Sequence, residues 1–425
     1  MAVSAPKSLA GWLEYLEQLH PQAIEMGLER VSAVARSLAI VPDFPLITVG
    51  GTNGKGSCCA MLEAILGAAG YRVGCYTSPH LVRYNERVRI DGREVEDDVF
   101  CRAFAAIEAA RGATSLTYFE FGTLAALLAF RDAKVDVAIL EVGLGGRLDA
   151  VNIFDADCAL IASVDLDHQN YLGNTREAIG FEKAGIFRQA RPAVCGDADP
   201  PSSLVEHARA IGADLHVIDR DFGFVADGQQ WRYWGPAGKR HGLPHPALRG
   251  AFQLSNASSC ITALDCLSAR LPVTLQDIRN GLIRAEVTGR FQVLPGVPLV
   301  VLDVAHNPHA ARALAANLAA LPDGGRTFAV FAMLNDKDIA GVIDAVKDRI
   351  TDWFVAATPG SRGTDKNLLA AHIAATGVQA PVRMFDDVPT AWRAACKSAD
   401  GNDKIAVFGS FLTVAAVLDE RQRKS

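Results

Sequence analysis

A chain of 425 residues exceeds what one compact core ordinarily uses, so two domains are the starting expectation. Half of the residues are hydrophobic and 21% are charged, and a net charge of −6 with no basic cluster argues against nucleic-acid binding. The strongly apolar, uncharged stretch IAVFGSFLTVAAVL (405–418) is too short and punctuated to span a bilayer.

The N-terminal MAVSAPKSLAGW lacks a basic region followed by an apolar one, so no export signal is expected and the chain reads as cytoplasmic and free of membranes. Nine scattered cysteines contain no C-x-x-C pair, which favours buried reduced thiols over a disulfide framework or a zinc site.

The first predicted strand, LITV (46–49), runs into GGTNGKGS and then into the helical CCAMLEAILGAAG. The strict phosphate-loop pattern would need glycine at Val49 and a hydroxyl at Gly56; here the hydroxyl comes one step later, on Ser57. The physical case for phosphate survives. Gly50, Gly51, Gly54 and Gly56 allow close backbone approach, and N–H groups can converge on an anion at the helix start. Lys55 supplies a compact cation, and Ser57 can reach a magnesium ion. The competing reading is an ordinary glycine-rich turn.

RVGCYT (72–77) is a second strand ending in Ser78-Pro79-His80, and FGTLAALLAFRDA has helical periodicity. DVAILEV (136–142) carries Glu141, placed like the acidic magnesium partner of phosphate-loop enzymes or, alternatively, a salt-bridged carboxylate. CALIASV (158–164) is followed by Asp165, Asp167 and His168. Ligands in open α/β sheets sit beyond the carboxyl ends of strands, so these positions should converge near the loop. Lys183, in GFEKAGIFR, reads on its own as a solvated helix lysine with Glu182 and Arg188 at hand.

Residues 214–245 alternate aromatic and polar groups around Asp-Gly and predict an antiparallel hairpin inserted in the first domain. EVTGRFQVLPG (286–296) predicts a hinge carrying Arg290, a cation that could swing against a polyphosphate when domains close. From 297 a second alternation begins: PLVVLDVAH, RTFAVFAML, DWFVAAT, PVRMFDD and KIAVFGS are strand candidates between helices. Asp303 and His306 end the first of them, in LDVAHNPHA. The expected fold is α/β: a phosphate-loop nucleotide domain with a mostly parallel sheet (1–288), a hinge (289–296) and a smaller Rossmann-like domain (297–425). NDKD (335–338) has the wrong order for guanine reading and gives a GTPase little support.

Taken together, WLEYLEQLHPQAIEMGLERV, GTNGKGS, TSPHLVRYNERVRI, LTYFEFGTL, LEVGLGGRLDAVN, DHQNYLG, EKAGIFR, GRFQ, DVAHNPHA, MLNDKDIAG and VFGSFLTVA resemble, in the same order, the bacterial folylpolyglutamate synthase/dihydrofolate synthase family, relatives of the Mur ligases. The resemblance runs nearly end to end. It implies an ATP-dependent ligase that phosphorylates a pteroate-type carboxylate and lets the amine of L-glutamate displace phosphate.

Carried over by position, Gly51, Thr52, Asn53, Gly54, Lys55, Gly56 and Ser57 hold the nucleotide, with Asn256 near adenine. Ser57, Ser78 and Glu141 look like ligands of one magnesium and His168 of a second. Lys183 matches a lysine that this family carbamylates, turning a cation into an oxygen anion able to serve a metal. Thr117, Phe119, Asp149 and Ala150 match a pterin pocket. Asp303 and His306 match positions for nucleotide and glutamate handling, Ser410 a glutamate contact, and Arg290 a charge-stabilising cation. The family also implies a monomer. One departure is Val151, where threonine is common. Alternatives are polyglutamylation alone, a Mur-type ligase on another carboxylate, and a nucleotide-binding module without chemistry.

Overall fold

The computed structural model describes residues 6–22, 24–322 and 324–423. They form two compact units. One takes the chain through His80 with Tyr84–Ala247 and Leu254–Ala285; the other takes Leu81–Arg83, Leu248–Gln253 and the chain from Glu286 onward.

The first unit is built on eight strands: β1 (Leu46–Gly50), β2 (Val73–Tyr76), β3 (Val88–Ile90), β4 (Arg93–Glu94), β5 (Val137–Glu141), β6 (Cys158–Ile161), β7 (Pro192–Cys195) and β8 (Asp214–Val217). Their order is β4-β3-β2-β5-β1-β6-β7-β8. The run from β2 to β8 is parallel, and the short edge pair β3–β4 is antiparallel. β1 and β5 are buried along all five of their residues, as strands covered by helices on both faces should be. β1 sits between β5 and β6, so the chain leaves it toward one side first and the other side later, which opens a crevice beyond its carboxyl end.

The predicted strands at 46–49, 72–77, 136–142 and 158–164 correspond to β1, β2, β5 and β6. The β3–β4 hairpin, turning on Asp91-Gly92 with both residues at positive φ, and β7 lie outside those runs. The helix at Tyr118–Ala133 starts with a capping box between Thr117 and Glu120 and is buried from Glu120 through Phe130, forming the centre of the unit's core.

The 214–245 stretch differs from a single hairpin. Its start is β8, a parallel strand at the edge of the large sheet. The rest is a three-stranded antiparallel sheet, β9 (Gly223–Asp227), β10 (Gln230–Gly235) and β11 (Gly238–Pro244). Alternation in Gln-Trp-Arg-Tyr buries Trp231 and Tyr233, and the Tyr233 hydroxyl bonds Thr262 Oγ1 at 2.9 Å and Asp265 Oδ2 at 3.0 Å. Those two partners lie on the helix Gln253–Cys266, so the small sheet is held by its aromatic face.

The second unit has β12 (Gln292–Leu294), β13 (Leu299–Leu302), β14 (Thr327–Phe331), β15 (Asp352–Ala356), β16 (Val382–Phe385) and β17 (Lys404–Phe408), ordered β12-β13-β17-β14-β15-β16. All pairings are parallel except β12–β13. The stretch expected as a hinge is therefore not free chain throughout: 292–294 closes one edge of this sheet. Phe331, Trp353 and Phe408 fill one face and Phe328 and Phe354 the other.

Among the described residues no helix is long and apolar enough to cross a membrane. The nine cysteines are all thiols rather than disulfides; six are buried and Cys101, Cys266 and Cys396 are half-buried.

The helix Lys55–Ala68 that follows the glycine loop is crossed closely by the helix Leu275–Arg284. A Cβ on Gly281 would lie 2.5 Å from the Ile65 Cα. Gly281→Ala should force that crossing apart and cost about 1–3 kcal/mol, read as a lower urea midpoint by circular dichroism.

Candidate active site

The loop after β1 is shaped by two glycines in conformations that side chains avoid: Gly51 at φ +139° and Gly54 at φ +87°. Gly50 ends the strand and Gly56 lies within the helix, so of the four glycines in the motif only these two need that freedom. A Cβ at Gly51 would sit 3.1–3.2 Å from the Ala162 and Ser163 backbone nitrogens, and one at Gly54 would be 2.9 Å from Asn256 Oδ1. The predicted adenine-side residue Asn256 thus packs directly against the loop.

The loop is latched to the chain leaving β6. The Thr52 N–H donates to Ser163 O at 2.8 Å, and its hydroxyl donates to Asp165 O at 2.9 Å while accepting from the Asp165 N–H at 3.0 Å. The Asn53 N–H donates to Ser163 Oγ at 3.1 Å, which returns a bond to Asn53 O. The helix then starts at Lys55 with Gly54 as its cap, a residue that has no side chain to bond the first turn. A helix start with a fixed backbone suits an anion, because its N–H groups and dipole point the same way. Lys55 Nζ rests on the Gly51 and Thr52 carbonyls at 3.0 and 3.3 Å.

Strand ends bring the acidic and hydroxyl groups to the same edge. Glu141 closes β5, is buried, and accepts the Ser78 N–H at 3.0 Å. Ser57 is buried in the helix's first turn. Two hydroxyls and one carboxylate are hard oxygen donors. They suit a magnesium ion that keeps several waters and is completed by phosphate oxygens, and among the described residues no three of His, Cys, Asp and Glu form a denser cage. His168 follows Asp167, whose carboxylate accepts its N–H at 2.8 Å, and takes a left-handed conformation at the start of a short helix.

Lys183 is not the solvated lysine its local sequence suggests. It is buried on the helix Arg176–Ala184, and its pKa falls to about 7, chiefly through desolvation, then through the charge of Lys55, with Asp167 and Asp149 pulling the other way. Asp149, buried at the head of the turn Ala150–Ile153, is pushed up to about 7 by desolvation against the N–H groups of Leu144, Val151 and Gly143 and the charge of Lys55. Two lysines and two aspartates therefore share one electrostatic neighbourhood.

Beside it, Phe119 lies so close to Gly143 that a Cβ there would meet its ring at 2.7 Å, and the Tyr76 ring is 5.9 Å away. Thr117 Oγ1 accepts the Glu120 N–H and keeps a proton to donate. Ala150 is buried, as is Val151, whose side chain belongs to the core. The missing hydroxyl at 151 is thus a core difference.

Motif reading left two groups unassigned. Asp167 acts on Lys183 and was visible only as an acid after β6. Arg87 is buried, donates Nε–H to His80 Nδ1 at 2.8 Å, and lies 5.3 and 5.5 Å from the Tyr84 and Tyr118 ring centres. Its place in SPHLVRYNER was the signal.

In the second unit, β13 is followed directly by Asp303, which accepts the N–H groups of Phe291 at 2.9 Å and Ala305 at 2.8 Å. Burial raises its pKa, opposed first by Arg290 and, among others, by His306. Arg290 stands 5.1 Å over the Phe411 ring, which is 6.0 Å from His306. Ser410 caps the helix Phe411–Gln422 by accepting the Thr413 N–H. Arg290, Asp303, His306 and Ser410 thus gather around the ends of β13 and β17.

Sequence profiles of two families match the chain: the Mur ligase middle domain over residues 49–264 and the Mur ligase glutamate ligase domain over 289–411. The chain is 46% identical to the dihydrofolate synthase/folylpolyglutamate synthase of Escherichia coli, with 98% of this chain and 96% of that one aligned. To the Haemophilus influenzae protein of the same name it is 41% identical, over 98% of each. The solved structure of E. coli FolC with DHPP and ADP is similar with a TM-score of 0.95 at 46% identity, over 100% of both chains. A crystal structure of a bifunctional folylpolyglutamate synthase/dihydrofolate synthase with Mn, AMPPNP and L-glutamate bound gives 0.92 at 48% identity, over 99% of this chain and 100% of that one.

The environment of Lys183 makes a titration measurable. Lowering its pKa from 10.5 to about 7 means the amine is an ammonium below pH 7 and free above it. Lysine ¹⁵Nζ resonances should show one group, absent in Lys183→Met, titrating near pH 7 while the others remain charged.

Proposed function

Because this chain belongs to the dihydrofolate synthase/folylpolyglutamate synthase family of the Mur ligases, and is therefore an ATP-dependent acid–amino-acid ligase that uses a divalent metal, we propose that it joins L-glutamate to 7,8-dihydropteroate and to reduced folates, as a cytoplasmic monomer. The γ-phosphoryl group of ATP passes to the substrate carboxylate, the glutamate amine attacks the acyl carbon, and ADP and phosphate leave. The observation that carries this reading is Lys183: a buried amine with a depressed pKa, within the electrostatic reach of Lys55 at the carboxyl edge of a phosphate-loop sheet.

In this reading the 51–57 backbone and Lys55 cradle the phosphates, and Asn256 stands on the adenine side. Such chemistry asks the protein mainly for positioning and charge neutralisation. Bound magnesium supplies further positive charge to the phosphate oxygens; Ser57, Ser78 and Glu141 would hold one ion, His168 and Lys183 a second. A lysine can serve a cation only after losing its own charge. The neutral amine of Lys183 adds to carbon dioxide, forms an N–C bond, releases a proton and becomes a carbamate anion. The depressed pKa supports that step, since the ammonium cannot react.

Phe119 offers a flat face to a pterin, and Thr117, Asp149 and Ala150 line the same pocket. Asp149, with a pKa near 7, can accept or donate to ring nitrogens. Arg290, Asp303, His306 and Ser410 serve the nucleotide and the incoming glutamate.

With ATP, magnesium and glutamate, either 7,8-dihydropteroate or a reduced folate should elicit ADP release; release with the folate alone would reduce the activity to polyglutamylation. ¹⁸O in the substrate carboxylate should appear in the inorganic phosphate, and its absence there would sink the acyl-phosphate route. Lys183→Ala should lower turnover on the order of a hundredfold or more, with partial recovery in acetate or formate, which can replace the lost anion.

A further inference from the structure

At the amino ends of β1, β6 and β7, the edge of the large sheet away from the phosphate loop, lies a cavity of about 450 Å³. That size is in the range of small-molecule sites. Phe44, Ile153 and Phe154 give it an apolar wall. Asp157 organises its polar end: Oδ2 accepts the Leu46 N–H at 2.9 Å, while Oδ1 accepts from Arg191 Nη1 at 2.9 Å and Arg270 Nη1 at 2.7 Å.

One carboxylate thus gathers two guanidinium groups, so this end alone carries an excess positive charge, which Asp43 elsewhere in the lining balances over the cavity as a whole. Each guanidinium carries five N–H donors and spends one here, and both side chains are about half-exposed, at 53% and 49%. Asp155, also in the lining, is taken by Arg188, and Asp43 stands exposed on the loop before β1. Paired guanidinium donors recognise carboxylates with two parallel bonds, and the phenyl-lined wall suits a flat apolar body.

We propose that this cavity binds a small aromatic carboxylate and that its occupancy acts on the turn carrying Asp149 and Ala150. The connection is short. Ile153 and Phe154 end the turn that Asp149 caps through the Val151 N–H at 3.1 Å. Asn152, between them, donates to the carbonyls of Arg147 and Gly185 at 3.0 Å each and accepts from Arg188 at 2.9 and 3.0 Å. An occupant resting on Ile153 and Phe154 therefore bears on the segment that fixes both Asp149 and the end of the Lys183 helix. The regulatory half of this inference rests on Asp149 and Ala150 lining the substrate pocket; the binding half does not.

Calorimetric titration of the full chain with 1-naphthoate, and with the uncharged 1-naphthalenemethanol, tests it without ATP or glutamate. Saturable binding is expected, with the acid at least about tenfold tighter than the alcohol. Arg191→Ala and Arg270→Ala should each weaken the acid about tenfold while leaving ligase turnover without the acid unchanged. Asp157 keeps one arginine and the Leu46 N–H in either variant, so folding should persist. Amide exchange at 150–157 should slow in the complex. No saturable binding, equal affinity for acid and alcohol, or unchanged affinity in both variants overturns the site. Binding with no change in exchange at 150–153 overturns its action on the turn. Because binding is read directly, failure of the ligase reading would leave these outcomes intact.

Discussion

The start of the helix at Lys55 governs the chemistry of the first unit. The chain arriving from β1 must turn through left-handed backbone at Gly51 and Gly54 while its edges are bonded to 163–165. That path sets the start of a fourteen-residue helix at the carboxyl edge of the sheet, behind a cap that has no side chain. Backbone donors held in fixed positions favour an anion over water, because the backbone needs no reorganisation to receive it. The same rigidity explains why the motif tolerates departure from the strict spacing: the geometry of the N–H groups matters more than the count of residues.

Around that anion site the charges are arranged at a cost to stability. Lys183 is buried within reach of Lys55, and Asp149 is buried strongly enough to hold a proton near neutrality. Buried like charges repel, and burial alone disfavours ionisation of each. A bound polyphosphate would relieve the first problem, and the proposed conversion of Lys183 into an anion would reverse it. Perturbed groups of this kind concentrate where chemistry is done.

The second unit repeats the strand-end logic with different residues. Asp303 follows β13 directly and is held by two backbone N–H groups; Arg290 and His306 share the Phe411 ring. The amino edge of the large sheet is chemically different, with arginines gathered by a single aspartate beside apolar side chains. A parallel sheet thus offers two separate environments.

The sequence by itself determined the α/β class, the phosphate loop and most of the strand positions, because apolar runs bounded by turns must be buried and glycine at a strand–helix junction has few other uses. It also placed Ser78, Glu141, His168, Asp303 and His306 at strand ends. Their chemistry could be inferred from that position. Local sequence misjudged Lys183, whose neighbours Glu182 and Arg188 suggested a surface pair; only packing against distant segments removes its water and sets Lys55 beside it. The 214–245 stretch reads as one hairpin because alternation marks strands without counting them, whereas β8 pairs with the preceding β7 and not with β9. The sharing of Asp157 by Arg191 and Arg270 depends on side chains far apart in the chain. Burial, and therefore ionisation, is a property of the whole fold; the period of a segment records only which face is apolar.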